Sequence, residues 1–490
     1  MIKNMKKFIA RMKEMKNKHI KIIFVIISIL FIIPSIIYIV FNKTTLGFNI
    51  YYNFFITERI SKTISTIIYL ILFVSISVLY VKIIKEKMIF ENIKDVFKYV
   101  TIISIVFGFM LPWTSSDIFY YMGVGELDAV YKQNPYYISM KEYYEQNYES
   151  IKNDSIFKQG ANNVWAGTTA VYGPLAQLIF KLCASLSFKN INVCYAIFKL
   201  INIIAHILNC YLIYKITHRK KFSIIYGLNP FILLEFIGIG HNDIIVVFFI
   251  LLSLYYLLKK KNIYLSVLSL ALATSIKYFT ILLLPTIILY HFRKEDKIWI
   301  RFLKCIEYGL MFLAVIALLY IPYFKDLNVV LAMLPQGEKY SKSIYSVLLI
   351  VKTDFMFWIK GAMIMLFVTF YIMSCLDALI NQRGNFVELL RKYNFALILF
   401  LLILSTSQQW YLIWLFATIM WQKPRMIKSI IGITLAVEIA NSIYMFMSEW
   451  YIYDVYYIGI IVCIMFLWNN FTNKKYFKDR STQIEKISVN

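Results

Sequence analysis

Ile22–Phe41, IIFVIISILFIIPSIIYIVF, is a run of 20 residues without a charge. A bilayer's hydrocarbon core is about 30 Å thick and needs about 20 apolar residues to cross it as a helix. No water is available there to satisfy exposed backbone groups, so such a span must be helical. Lys3, Lys6, Lys7, Arg11, Lys13, Lys16 and Lys18 precede it. The run is too long for a cleavable signal and no small-residue cleavage site follows, so it reads as a start-transfer span with its N-terminus inside. A second charge-free run, Tyr308–Tyr323, repeats the pattern far down the chain.

Composition extends this to the whole molecule. Of 490 residues, 60% are hydrophobic, 18% aromatic and 16% charged. A soluble domain carries about 45–50% apolar and about 25% charged residues, so the chain reads as an all-α polytopic membrane protein. The net charge of +25 does not indicate a nucleic-acid partner. Its basic residues are grouped at Arg219–Lys221, Lys259–Lys261, Arg293–Lys297, Arg391–Lys392, Lys423–Lys428 and Lys474–Lys478, in short loops between apolar segments. That grouping is the positive-inside signal, which sets topology and places the clusters against anionic lipid heads. Cys183, Cys194, Cys210, Cys305, Cys375 and Cys463 lie in apolar stretches with neither metal-site spacing nor a disulfide framework.

With the basic loops inside, spans fall at 20–41, 62–84, 98–113, 190–214, 222–237, 243–258, 263–278, 279–292, 303–322, 356–380, 393–406, 409–421, 429–447 and 454–470. This path predicts about fourteen transmembrane helices with both termini cytoplasmic. Residues 172–188 are apolar but open with Gly173-Pro174 and carry Lys181. Counted as a span they would move every later basic cluster outside, so they are expected to form an interfacial helix.

Two polar stretches then lie outside. Residues 114–171 hold Asp117, Glu126, Asp128, Glu142, Glu145, Glu149 and Asp154 against Lys132, Lys141, Lys152 and Lys158. Residues 323–355 form a second external loop containing Leu334-Pro335-Gln336-Gly337 and Tyr340-Ser341-Lys342. Loops longer than about 12–15 residues are usually functional or disordered, and the tyrosines of the first argue against disorder.

Several residues in this frame are suited to chemistry. Asp117, in Ser115-Ser116-Asp117-Ile118-Phe119-Tyr120-Tyr121, sits where a span leaves the membrane. Partial desolvation there makes a carboxylate a useful base, although a short acid also caps a following helix. Asn229-Pro230 opens a segment containing Glu235 and ending Gly240-His241-Asn242-Asp243. Ionisable groups at membrane depth are costly and are functional candidates, yet a polar turn between two short helices fits as well. One His and one Asp fall short of a metal-ligand set. Lys277 interrupts an apolar run near the outer surface, where it suits a phosphate. It could equally snorkel to the interface or pair with Glu235. Gln408-Gln409-Trp410-Tyr411, with Trp414 one turn on, suits a sugar ring and equally an interfacial anchor.

Taken in order, the aspartate beyond a span, Asn134-Pro135-Tyr136, Tyr172-Gly173-Pro174-Leu175, Pro230…Gly240-His241-Asn242-Asp243, Lys277…Pro285 and Trp410-Tyr411…Trp414 resemble the GT-C superfamily of membrane glycosyltransferases. Within it the chain is most similar to bacterial polyprenol-phosphate-mannose-dependent mannosyltransferases, over roughly residues 98–420. The resemblance implies a GT-C fold with a large first catalytic external loop. It implies that Asp117 is the base, that Lys277 approaches the donor phosphate, and that His241 and Asp243 line the active-site cavity. A lysine of the second loop, Lys339 or Lys342, is a further candidate for the leaving phosphate, with Tyr121, Tyr172, Trp410 and Tyr411 in the cavity. Gln409 stands where the family's aromatic motif usually has proline. The implied donor is a polyprenyl-phosphate sugar, and the acceptor a glycan, lipid or protein on the outer face. No nucleotide motif is present, and the resemblance requires no cofactor or metal.

The expected division is a basic N-terminus with two additional helices over 1–97, a catalytic membrane core over 98–420, and C-terminal helices with a basic tail over 421–490. A transporter or flippase would explain the spans but predicts internal repeats, and none is found. A glycan polymerase or lipid-glycan ligase shares the large external loop. Such enzymes favour basic, arginine-rich loops, whereas this first loop is acidic and lacks arginine.

Overall fold

A computed structural model describes residues 2–42, 59–86, 89–112, 114–292, 297–331, 343–345, 348, 355–381 and 386–447. The regular elements among them are helical. In chain order the principal ones are α1 (Ile2–Asn42), α2 (Arg59–Lys85), α3 (Ile93–Gly108) and α4 (Asp117–Ala129). There follow α5 (Met140–Gln146), α6 (Ser155–Ala161), α7 (Pro174–Leu186), α8 (Ile191–Thr217) and α9 (Lys220–Gly227). The chain continues through α10 (Asp243–Leu258), α11 (Ile263–Thr274), α12 (Leu284–His291), α13 (Ile298–Tyr320), α14 (Met356–Asn381), α15 (Phe386–Ile403) and α16 (Pro424–Met447).

Among the described residues, five helices are long and apolar enough to cross a membrane: Asn17–Ile36, Thr63–Lys85, Ile191–Thr217, Ile298–Tyr323 and Met356–Asp377. A bent pair, Lys220–Gly227 with Pro230–Gly238, makes six if it counts as one span. This is short of the expected fourteen for a physical reason: most of the other apolar segments are shorter or broken. The 16 residues of α10 make a rod of about 24 Å at 1.5 Å per residue. The segment expected as a continuous helix over 222–237 breaks by 48° at Leu228–Asn229, with Pro230 starting a new turn. Asn229 accepts from the Phe231 N–H at 3.0 Å, which replaces a bond lost to the break. The turn then widens into a π-helix over Leu233–Gly238. The stretch expected at 279–292 opens as a 3-10 helix over Tyr278–Leu283, and that at 409–421 is 3-10 over Gln409–Trp421. The expected span at 454–470 lies outside the described residues.

Helix α8 is the axis of the core. It packs against α3, α7, α9 and α10, starts at a cap where Asn190 accepts from the Asn192 and Val193 N–H groups, and ends at His218 in the left-handed region (φ 53°). Its inward face carries Lys199, Asn202, His206 and Asn209, all buried. The spacing of three, four and three puts them on one stripe. By contrast, α13 and α14 turn Leu310, Leu313, Leu318, Met365 and Leu366 outward, as helices bordered by lipid do.

The polar stretch 114–171 is folded. Every residue of α4 is buried, clasped between α7 and α6. Ser139 accepts from the Glu142 N–H at 3.1 Å to start α5, and Asp154 accepts from the Phe157 N–H at 2.9 Å to start α6. Tyr131, Tyr143 and Phe157 pack ring to ring, with centroids 5.1 to 5.8 Å apart. Helix α7 covers most of the segment expected to be interfacial, and its Phe180 ring stacks on Tyr121 at 4.8 Å. Lys181, the charge that counts against a span there, pairs with Asp128 at 2.7 Å. The same carboxylate accepts from the Tyr323 hydroxyl at 2.9 Å, tying the stretch to the end of α13.

Candidate active site

Asp117 is the first residue of α4, and Ser116 before it makes no side-chain cap. The approach to this helix is fixed from outside, because Asn163 donates to the Ser116 carbonyl at 2.9 Å and to its hydroxyl at 2.8 Å. The helix start rests on the turn at Gly240. A Cβ at that glycine would lie 2.7 Å from Ile118 Cδ1, and its φ is +100°, a conformation side chains rarely adopt. Glycine thereby allows the next residue, His241, to reach Asp117.

His241 is fully buried and lies between two carboxylates. Its Nδ1 is 3.6 Å from Asp117 Oδ2, and its Nε2 is 3.2 Å from Glu235 Oε2. The Trp410 ring stacks on the imidazole with centroids 3.7 Å apart. Glu235 sits in the π-helical turn, a conformation frequent at functional sites, and it is not among the site residues expected from the sequence. Its signal was a carboxylate in an otherwise apolar run.

The second half of the cluster is built around Lys277. Its Nζ lies 2.7 Å from Asp243 Oδ1, and the Trp414 indole N–H donates to the same oxygen at 2.8 Å. Lys277 therefore pairs with Asp243 and not with Glu235, which faces His241 instead. The ammonium is also 4.3 Å from the Tyr411 ring centroid and 5.5 Å from that of Tyr172, both within cation–π range. Tyr411 stacks on Trp414 at 4.5 Å, and Trp414 on Phe279 at 3.4 Å. The first stack follows from the 3-10 geometry, in which side chains three residues apart eclipse.

Tyr172 and Lys277 are brought together by a close backbone crossing. The Gly173 N–H donates to Ile276 O at 3.1 Å, and the Leu175 N–H to Ser275 O at 2.9 Å. A Cβ on Gly173 would sit 2.4 Å from the Ser275 carbonyl oxygen, so only glycine fits. The Tyr172 hydroxyl donates to that of Tyr121 at 3.2 Å, which returns the chain of contacts to α4.

Asp117, Tyr121, Tyr172, His241, Asp243, Lys277, Trp410 and Tyr411 thus meet in one cluster, although they span 295 positions of sequence (411 − 117 + 1). Lys339 and Lys342 lie outside the described residues. Among the described residues no group of three or more His, Cys, Asp or Glu side chains is arranged to hold a metal ion. The cluster brings a carboxylate, an ammonium and several aromatic faces together in one place.

A family model described as Alpha-(1->6)-mannopyranosyltransferase, N-terminal domain, matches residues 36–293. That is more than half of the 490 residues, and it includes Asp117, Glu235, His241, Asp243 and Lys277. No curated protein and no solved structure matches the chain.

Proposed function

The chain belongs to the alpha-(1->6)-mannopyranosyltransferase family, a family of membrane glycosyltransferases, and from that premise we propose that it moves mannose from a polyprenyl-phosphate donor to an acceptor hydroxyl, with Asp117 as the base. The observation that carries this reading is the contact chain from Asp117 through His241 to one side and from Asp243 through Lys277 to the other. It sets a carboxylate and an ammonium into the same aromatic-walled cluster.

In this mechanism the acceptor oxygen attacks the anomeric carbon as its proton passes to an Asp117 oxygen. The bond from that carbon to the phosphate oxygen breaks, and the electron pair leaves with the polyprenyl phosphate. Lys277 stabilises the growing charge on the leaving group. An ammonium has three donors; one directed at Asp243 leaves two for phosphate oxygens. Asp243 retains the Trp414 N–H, which keeps it in place while the lysine is shared. His241, braced between Glu235 and Trp410, holds the Asp117 carboxylate towards the acceptor. The aromatic faces of Tyr172 and Tyr411 stack on the sugar. Lys342 is assigned a supporting role on the leaving phosphate.

The reaction is placed on the outer face. The basic clusters between apolar segments put the opposite side in the cytoplasm, with both termini there. Counting the short and broken apolar segments as membrane-embedded gives about fourteen transmembrane segments. Residues 98–420 form the catalytic core, and α7 lies along the interface. The acceptor is a glycan, lipid or protein of the cell envelope.

The test is transfer of radiolabelled sugar from a panel of polyprenyl-phosphate donors in membranes carrying the wild-type chain or Asp117→Asn. Wild type is expected to incorporate label from the mannose donor. The variant is expected to fall by about 10²–10⁴-fold, the usual contribution of a positioned base, while inserting normally. Near-normal turnover by Asp117→Asn overturns the assignment of the base, and incorporation from no monosaccharide donor overturns the reaction.

A further inference from the structure

Lys199 lies in the first half of α8, a helix long and apolar enough to cross a membrane; it is only 3% exposed, and the reaction scheme does not use it. Its ammonium bonds two backbone carbonyls, Met110 at 3.1 Å and Gly238, whose contact is shorter. The Tyr195 hydroxyl donates to the same Met110 oxygen at 2.7 Å. One turn on, Asn202 donates to the carbonyls of Phe236 at 2.8 Å and His241 at 3.1 Å. These acceptors are not scattered. Met110 lies just past the end of α3, on the strand of chain that leads to Asp117. Phe236 and Gly238 belong to the π-helical turn that carries Glu235, and His241 is the residue that turn delivers.

Gly238 ends the π-helical turn and Met110 lies just past the end of α3, where carbonyls have no continuing helix to donate to them. In a membrane no water can satisfy an open carbonyl, so the break needs donors from a neighbouring helix. Any hydroxyl or amide could supply one. A lysine does so with a charge, at the carbonyl ends of two helical segments, where the backbone dipoles favour a cation. It also joins two segments that are 128 residues apart (238 − 110).

We propose that Lys199, with Asn202, is a positioning residue: it clamps the end of α3 to the π-helical turn and so sets the separation of Asp117 and His241. The proposal rests on Asp117 being the base and His241 its partner. It adds that this geometry is held by α8, a helix that contributes no side chain to the reacting cluster. Helix α8 makes the clamp by presenting Lys199 and Asn202 three residues apart on one face.

The experiment uses the purified full-length chain in lipid nanodiscs, with the polyprenyl-phosphate mannose donor, and compares Lys199→Met, Lys199→Arg, Asn202→Leu and Asp117→Asn. For each, kcat, the donor KM and the melting temperature are measured. Lys199→Met is expected to lower kcat more than tenfold with the donor KM within twofold. Lys199→Arg, which retains the charge and N–H donors for both carbonyls, is expected to recover kcat to within about threefold of wild type. In a His241→Gln background, Lys199→Met is expected to cost less than twofold, because the contact it sets is already lost; independent effects would multiply instead.

If Lys199→Met keeps wild-type kcat, or if its cost is undiminished in the His241→Gln background, the clamp does not position the pair. If Lys199→Met does not fold, the arginine and Asn202→Leu variants carry the same comparison. An Asn202→Leu variant that folds and turns over at the wild-type rate then overturns the proposal. An active Asp117→Asn overturns the parent reading instead, and it does so whatever the Lys199 variants show.

Discussion

Lys277 shows how much one side chain's partners decide. Its ammonium is matched by Asp243 at 2.7 Å in a setting where that carboxylate is fully buried. Removing one member of a buried pair leaves the other charge uncompensated, at about 3–5 kcal/mol. Lys277→Ala is therefore expected to lower the melting temperature and to raise the donor KM more than the acceptor KM. Replacing both members, as Lys277→Leu with Asp243→Leu, is expected to recover most of the stability and none of the transfer. Thermal melting and the two KM values check this; a Lys277→Ala variant that melts as wild type contradicts the pairing. Asp117, His241, Asp243 and Lys277 were legible in the sequence because each is an ionisable group in or beside an apolar run. Their partners were not. On an α-helix, residues 235 and 241 are six positions apart, about 120° away from facing one another. The π-helical turn and the positive φ of Gly240 fold His241 back onto Glu235, and neither distortion has a hydropathy signature.

At the level of the elements, α4 has a second carboxylate with an informative environment. Glu126 is buried where α4 meets the start of α6. Burial, with repulsion from Asp154, pushes its pKa up from an ordinary 4.5 to about 8, against a smaller opposing pull from Lys189. The folded state therefore prefers the protonated carboxyl. Its contribution to stability is fully present below about pH 4.5 and is lost as pH rises through about 8. Asp154, which caps α6 and accepts from the Tyr131 hydroxyl at 2.6 Å, is the group it meets. Glu126→Gln is expected to flatten the fall in melting temperature between pH 5 and pH 9 relative to wild type, while a slope identical to wild type contradicts the assignment. That this stretch is ordered was legible in its tyrosines, but its helices were not: the Ser139 and Asp154 caps that start α5 and α6 are single polar residues in a loop already rich in them. The 3-10 winding of Gln409–Trp421 was not legible either, because an apolar run gives the same hydropathy at three residues per turn as at 3.6. That winding is what stacks Tyr411 on Trp414.

For the molecule as a whole, composition and the placement of lysines were enough to read a helical membrane protein, and the order of short motifs was enough to read its family. The number of complete spans was not legible. Hydropathy measures apolar length, and it does not register the breaks at Leu228–Asn229 or before Tyr278 that turn rods into pieces shorter than a bilayer. Those breaks serve the site. The chain interrupted before Asp243 delivers His241, the chain interrupted after Thr274 delivers Lys277, and unbroken α8 holds the first of them from behind. The central claim is that these pieces divide the work, with Asp117 removing the acceptor proton and Lys277 meeting the donor phosphate. The most direct test is donor binding beside single-turnover release of polyprenyl phosphate, by the purified chain in nanodiscs, for wild type and Asp117→Asn. The account predicts that Asp117→Asn binds the mannose donor within about threefold of wild type and releases polyprenyl phosphate at least about 10²-fold more slowly, as loss of a base requires. Release at the wild-type rate, or loss of donor binding with the catalytic rate intact, would contradict it.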